Sequence, residues 1–206
     1  MLKRRKGYTL LLLLVLTGLA GRLSSSTITS QERRFLIDHL KDSKAAVQKS
    51  VKGLSKKQLN FKASAKQWSI KECLQHIAIA ENNLWNIADA ALKKPANPDE
   101  KPKIKVNDLD VLNLLTNRKK KLEAPESFKP IKANWETTDE TLEAFSDKRA
   151  GLIKYVKTST EDMRNHVLKM PIGDIDAYQM LLYISAHTQR HTMQIEEVKA
   201  NPAFPK

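Results

Sequence analysis

Residues 176–200, DAYQMLLYISAHTQRHTMQIEEVKA, decide the fold. Met180, Ile184, His187, His191, Gln194 and Val198 recur at alternating spacings of four and three, the pattern of core positions in a helical bundle. Asp176 is a suitable N-cap, and Pro202 stops the helix beyond about Ala200. The core stripe therefore carries two histidines one turn apart. Side chains at i and i+4 lie one above the other, so both imidazoles can reach a single point.

Outward from this segment, helical periodicity recurs. From Ser30, read as an N-cap, Leu36, Leu40, Val47, Val51 and Leu54 form one stripe that Gly53 closes. Residues 54–67 read as a connector. Ser69 and Glu72 form a capping box that opens a second helix from Ile70 to about Lys93, with Leu74, Ile77, Leu84 and Ile87 facing inward and Trp68 placed to staple onto Cys73. Pro95, Pro98 and Pro102 break the chain before a short helix from about Asp108 to Leu122. Thr137 and Glu140 form another capping box, opening a helix that carries Leu142, Phe145, Leu152 and Val156. A further turn or two is expected around residues 161–167, and Pro171 to Asp174 reads as a turn. No segment reads as a strand. The pattern predicts an all-α antiparallel four-helix bundle with extra short helices in its connections.

The N-terminus differs in kind. Lys3, Arg4, Arg5 and Lys6 precede an apolar run from Tyr8 to Ala20, the layout of a signal peptide. The run is shorter than the roughly 20 residues a membrane-spanning helix needs. Cleavage after Ala20, and so a periplasmic or secreted protein, is the expectation, with an uncleaved segment the only membrane attachment. Removing those four cations would lower a formal charge of +13. The remaining charge is spread along the chain, and the one dense basic run, Arg118 to Lys121, has no interleaved aromatic residue, which argues against a nucleic-acid partner. A single cysteine, Cys73, excludes an intramolecular disulfide.

A third histidine, His76, lies two turns into the second helix on the face of Cys73 and Ala80. Histidines in a bundle core are more often satisfied by a polar neighbour than by a metal. Three that meet, however, form the ligand set of an open zinc-type site and suit nickel or other first-row divalent ions. Cys73, near a helix N-terminus, is read as a packed residue under Trp68 rather than a reactive thiol. Arg190 and Gln194 are candidates for orienting a substrate or holding an imidazole from behind, although a helix arginine is more commonly solvated. His39 and His166 lack partners at ligand spacing, and Trp85 and Trp135 suit core or groove walls.

Trp68-Ser69-Ile70 with Glu72 and His76, then His187, Arg190-His191 and Gln194-Ile195, supported by Ala124-Pro125, Phe128-Lys-Pro130 and Pro171-Ile-Gly173, resemble the DinB-like superfamily of four-helix bundles, which includes YfiT-type proteins. The resemblance spans about residues 30–201. It implies a metal triad of His76, His187 and His191, and metal-dependent chemistry of a hydrolase, thiol S-transferase or maleylpyruvate isomerase kind on a small-molecule substrate. Export argues against cytosolic thiols and leaves hydrolysis, for which Glu81 is the only general acid or base singled out. The alternatives are a noncatalytic exported binding protein with a structural metal or small ligand, and a bundle that works as a homodimer.

Overall fold

A computed structural model describes residues 28–119 and 123–206. The expected signal segment lies outside these residues, as does the expected end of the short middle helix at Leu122.

Among the described residues there are six α-helices: α1 (Ser30–Val51), α2 (Lys56–Leu59), α3 (Ile70–Leu92), α4 (Asp108–Thr116), α5 (Thr138–Thr158) and α6 (Ala177–Lys199). Each opens with a reciprocal capping box, in which the N-cap side chain accepts from the N3 amide and the N3 side chain accepts from the N-cap amide. At α1 the box is Thr29 with Glu32, so Thr29, one residue before the expected Ser30, is the N-cap. Such caps stabilise a helix by about 1 kcal/mol each, enough to set where it starts. The four-residue α2, capped by Ser55 and Gln58, falls in the stretch expected to be a plain connector.

The long helices α1, α3, α5 and α6 form the bundle. Helix α6 packs on α1, α3 and α4, while α5 packs on α1 and α3. Consecutive helices α1 and α3 are therefore diagonal, as are α5 and α6. Pairs of residues in contact set the directions. Ser43 meets Ser185 and Lys199 reaches Ser50, so α1 and α6 run parallel. Lys44 reaches Ser146 and Arg33 reaches Val156, so α1 and α5 run antiparallel. His76 faces His187 and His191, whereas Lys71 reaches Glu136 and Trp85 packs on Tyr155, so α3 is antiparallel to α6 and parallel to α5. A diagonal crossing, or a return that makes neighbouring helices parallel, needs a longer connection than a hairpin between antiparallel neighbours, which accounts for the chain spent between α1 and α3 and between α3 and α5.

Three expectations are corrected. Two strands exist, β1 (Val167–Met170) and β2 (Gly173–Asp176), paired antiparallel with Leu168 opposite Ile175. Strands of four residues fall at the short limit and an isolated hairpin is marginal, so only packing of Leu168 and Ile175 on the core and the bracing by Asn97 make this one persist. Asn97 donates to the Val167 carbonyl and accepts from its amide, acting as a third edge. Helix α4 ends at Thr116, because the Arg190 side chain takes the carbonyls of Leu115 and Asn117 and Asn117 is already extended. Ile87, expected to face inward, is 39% exposed.

Two apolar clusters fill the bundle. One holds Leu36, Leu40, Leu84, Val156 and Ile184; the other holds Val47, Ile70, Ile77, Phe145 and Ile195. A polar group spans the bundle between them. Arg149 of α5 is fully buried and donates with all five of its N–H groups. Nε and Nη2 grip the Glu81 carboxylate of α3 at 2.6 and 2.7 Å, Nη1 reaches the Leu40 carbonyl and Ser43 Oγ of α1, and Nη2 also reaches Thr188 Oγ1 of α6.

Arg149→Met should leave the Glu81 carboxylate buried without its partner and lower unfolding free energy by about 3–5 kcal/mol. Adding Glu81→Leu should recover most of the loss. Urea denaturation of the three proteins checks this, and a single-variant loss below about 1 kcal/mol would show that the pair does not hold the helices together.

Candidate metal centre

His76 reaches the interior because the Ser69–Glu72 capping box fixes the start of α3, which puts Cys73, His76, Ile77 and Ala80 on the face toward α6. His187 and His191 descend from α6 by its i, i+4 geometry. The three imidazoles meet: His76 Nε2 lies 3.2 Å from His187 Nε2 and 3.0 Å from His191 Nε2. Among the described residues they form the only group of three or more His, Cys, Asp or Glu side chains whose ligand atoms lie within 4.8 Å of one another. His76 and His191 are buried and His187 is partly buried, so the cluster is not sealed on the His187 side.

The far side of two of the rings decides their tautomers. His76 Nδ1–H donates to the Phe128 carbonyl at 2.7 Å, and His191 Nδ1–H donates to Gln194 Oε1 at 2.9 Å. Arg118 Nη1 also approaches Gln194 Oε1, at 3.5 Å, which turns the amide oxygen toward the ring; Arg118 itself is held by Glu197 through two bonds of 3.0 and 2.6 Å. With Nδ1 protonated on both rings, two bare Nε2 lone pairs face each other. A proton between them is disfavoured, because burial pushes the His76 pKa down to about 4 and those of His187 and His191 well below the ordinary value. A divalent cation is the group this donor set fits. Ligands 2.0–2.1 Å from tetrahedral zinc stand about 3.3 Å apart, close to the separations found.

Two aromatic rings wall the cluster. Trp68 lies over His76 with ring centroids 4.8 Å apart and approaches His191 at 6.0 Å, while Tyr183 stacks on His187 at 6.3 Å. Trp68, expected as a staple over Cys73, does pack against the cluster that includes Cys73, but its ring also roofs the histidines. The Phe128 carbonyl leaves no sequence signal, because any residue supplies one.

The other candidates fall away from the cluster. Cys73 is fully buried, and burial pushes its thiol up to about 12, overriding the helix N-terminus, so it is a packed residue as expected. Glu81, expected as a general acid or base or as solvated, is neither free nor exposed: Arg149 holds it on both oxygens. Arg190, a candidate for orienting a substrate or holding an imidazole with a solvated role as the commoner reading, is buried and serves the end of α4. His166 is structural, with Nδ1–H donating to the Ala91 carbonyl, and His39 packs edge-on against Phe35. Trp85 and Trp135 line a groove between α3 and α5, as expected of groove walls, and the histidines do not line it.

A family model of the DinB superfamily matches residues 39–195, and the chain belongs to that superfamily. It is 28% identical over 155 residues to the uncharacterized protein YuaE of Bacillus subtilis strain 168, covering 72% of this chain and 88% of YuaE. Among solved structures it is similar to YfiT from Bacillus subtilis, with a TM-score of 0.57 and 15% identity over 84% of this chain and 89% of YfiT. That likeness concerns the fold. YfiT is described as "a probable metal-dependent hydrolase with an unusual four-helix bundle topology".

Two outcomes follow from the geometry. Gln194→Leu removes the acceptor behind His191 and should weaken metal affinity by about 10–100-fold with the fold intact, while Gln194→Glu retains it; competition against a chromogenic chelator reads both. In the metal-free protein, the depressed histidine pKa values mean that the unfolded chain binds more protons below pH 6.5. Their contribution to stability is complete above that pH and is lost as pH falls toward about 4 through His76. Denaturation midpoints that stay flat between pH 7 and 4.5 would contradict this assignment.

Proposed function

We propose that this DinB-superfamily chain is a metal-dependent enzyme, a hydrolase acting on a small molecule, with His76, His187 and His191 holding one divalent ion, zinc or nickel. The observation that carries the reading is the pair of protonated Nδ1 atoms on His76 and His191, which leaves bare Nε2 donors directed at one point. Three neutral imidazoles leave a position for water or substrate, in contrast to the four protein ligands of structural zinc sites. A metal ion bound there acts as a Lewis acid and lowers the pKa of water or of a thiol.

This chain's own residues contribute orientation and shielding. The Phe128 carbonyl and Gln194 hold the rings of His76 and His191, and Trp68 and Tyr183 exclude water from the sides of the cluster. His187, the least buried of the three, marks the side from which a substrate enters. The buried Glu81–Arg149 pair takes no proton-transfer role in this reading, because both carboxylate oxygens already accept from the guanidinium. Export through the apolar segment ending near Ala20 belongs to the same proposal and favours water over a cytosolic thiol as the nucleophile. Among the described residues no helix is long and apolar enough to cross a membrane.

Elemental analysis of tag-free protein tests the reading. About one equivalent of zinc or nickel in the wild type, lost in His76→Ala and in His187→Ala, is expected, followed by chelator-sensitive hydrolysis in a screen of ester, amide and lactam substrates. Folded protein that takes up no metal when supplied would overturn it. Metal whose removal abolishes the fold and whose return supports no hydrolysis would favour a structural ion.

A further inference from the structure

A groove lies away from the histidines. About 790 Å³ in volume, it runs between α3 and α5 under the segment 127–135. Its walls include Ile79, Trp85, Trp135 and Leu152. Volumes of this size suit a small organic ligand.

The groove is not a by-product of poor packing. Gly151 sits in the interior of α5, where glycine is the least favourable residue apart from proline. A Cβ built on Gly151 meets nothing within 4 Å, so no neighbouring element requires the glycine. What the missing side chain leaves is open space in the groove, which Gly151 lines.

Part of the polar lining is uncommitted, although Glu81 is held by Arg149 and Asn83 donates to the Ser127 carbonyl. The Asn82 side chain lines the groove and forms no hydrogen bond among the described residues. Lys132 and Lys148 are exposed on the rim and form no ion pair among the described residues. The rim carries one carboxylate, Asp147, while Glu81 on the floor is neutralised by Arg149, so the groove has a net positive charge. Apolar and indole surface beside exposed ammonium groups fits a ligand with an apolar, flat body and an anionic head.

We propose that the α3–α5 groove is a second binding site, distinct from the histidine cluster, for an amphipathic organic anion: its apolar body lies against Trp85 and Trp135 over Gly151, and its head meets Lys132 and Lys148. Specificity resides in the two lysines, and space in the glycine.

The probe is 1-anilinonaphthalene-8-sulfonate, titrated by fluorescence into the folded full chain, with the neutral N-phenyl-1-naphthylamine for comparison. Saturable binding at one site is expected. Gly151→Leu, whose side chain fills the groove, should weaken both probes at least tenfold, with melting temperature and metal content unchanged. The Lys132→Glu, Lys148→Glu double variant should weaken the anionic probe at least fivefold and the neutral probe by less than twofold, and it decides the matter alone if Gly151→Leu fails to fold. His187→Ala should bind both probes as the wild type does. Absence of saturable binding, affinity indifferent to the Gly151 and lysine variants, or loss of binding in His187→Ala would overturn the proposal. So would a wild-type dimer in sedimentation that Gly151→Leu dissociates, since the groove would then be an interface between two copies.

Discussion

One guanidinium joins the four long helices. Arg149 leaves α5, grips the Glu81 carboxylate of α3 with two bonds, reaches a carbonyl and a hydroxyl of α1, and ends on Thr188 of α6. All five of its donors are used and the pair is withdrawn from water, so the arrangement tolerates little displacement of any helix. Buried ion pairs are weak sources of net stability, since desolvation offsets most of the attraction. What this one supplies is register. Apolar side chains can slide past one another at modest cost, whereas a fixed set of directional bonds to four helices cannot.

That register matters because Thr188 is the next residue after His187. The axial position of α6 against α3 decides whether His76 meets His187 and His191 at one point or passes them by. The rings are then turned by the groups behind them, a backbone carbonyl for His76 and the Gln194–Arg118–Glu197 chain for His191. Burial works in the same direction: it removes the protonated forms and keeps three neutral donors facing inward. An isolated cluster of such donors is electrostatically unfavourable, and a cation relieves it. Stability given up at the centre of the bundle is thus linked to metal binding.

Helix α3 presents two faces, one to the histidine cluster and one to the groove. His76 looks toward α6, while Ile79, Asn82 and Trp85 look toward α5 and the groove. The turn at residues 126–128 touches both, since the Phe128 carbonyl holds His76 while Ser127 lines the groove and accepts a hydrogen bond from Asn83. The connection between α4 and α5, which carries Pro125 and Pro130, is therefore part of the architecture of the centre.

Sequence alone determined the local features: where helices begin, because a capping box is a contact between residues three apart, and which face is buried, because a period of 3.6 residues is written in the order of apolar positions. It also brought His187 and His191 together, since one helical turn joins them, and set His76 on the inward face of the second helix; the resemblance to the superfamily implied that the three form a triad. What escaped depended on distant partners. The short hairpin lacks enough strand to declare itself and is made by packing and by Asn97; α4 stops early because Arg190, over 70 positions away, takes its last carbonyls; and Glu81, which could have been a solvated acid, is locked by an arginine from another helix. The order of helices around the bundle, the tautomers of His76 and His191 and the groove at Gly151 were likewise decided only by tertiary structure. The reason is common to all of them: a long-range contact leaves no periodicity along the chain, and its energy exists only once the chain has folded.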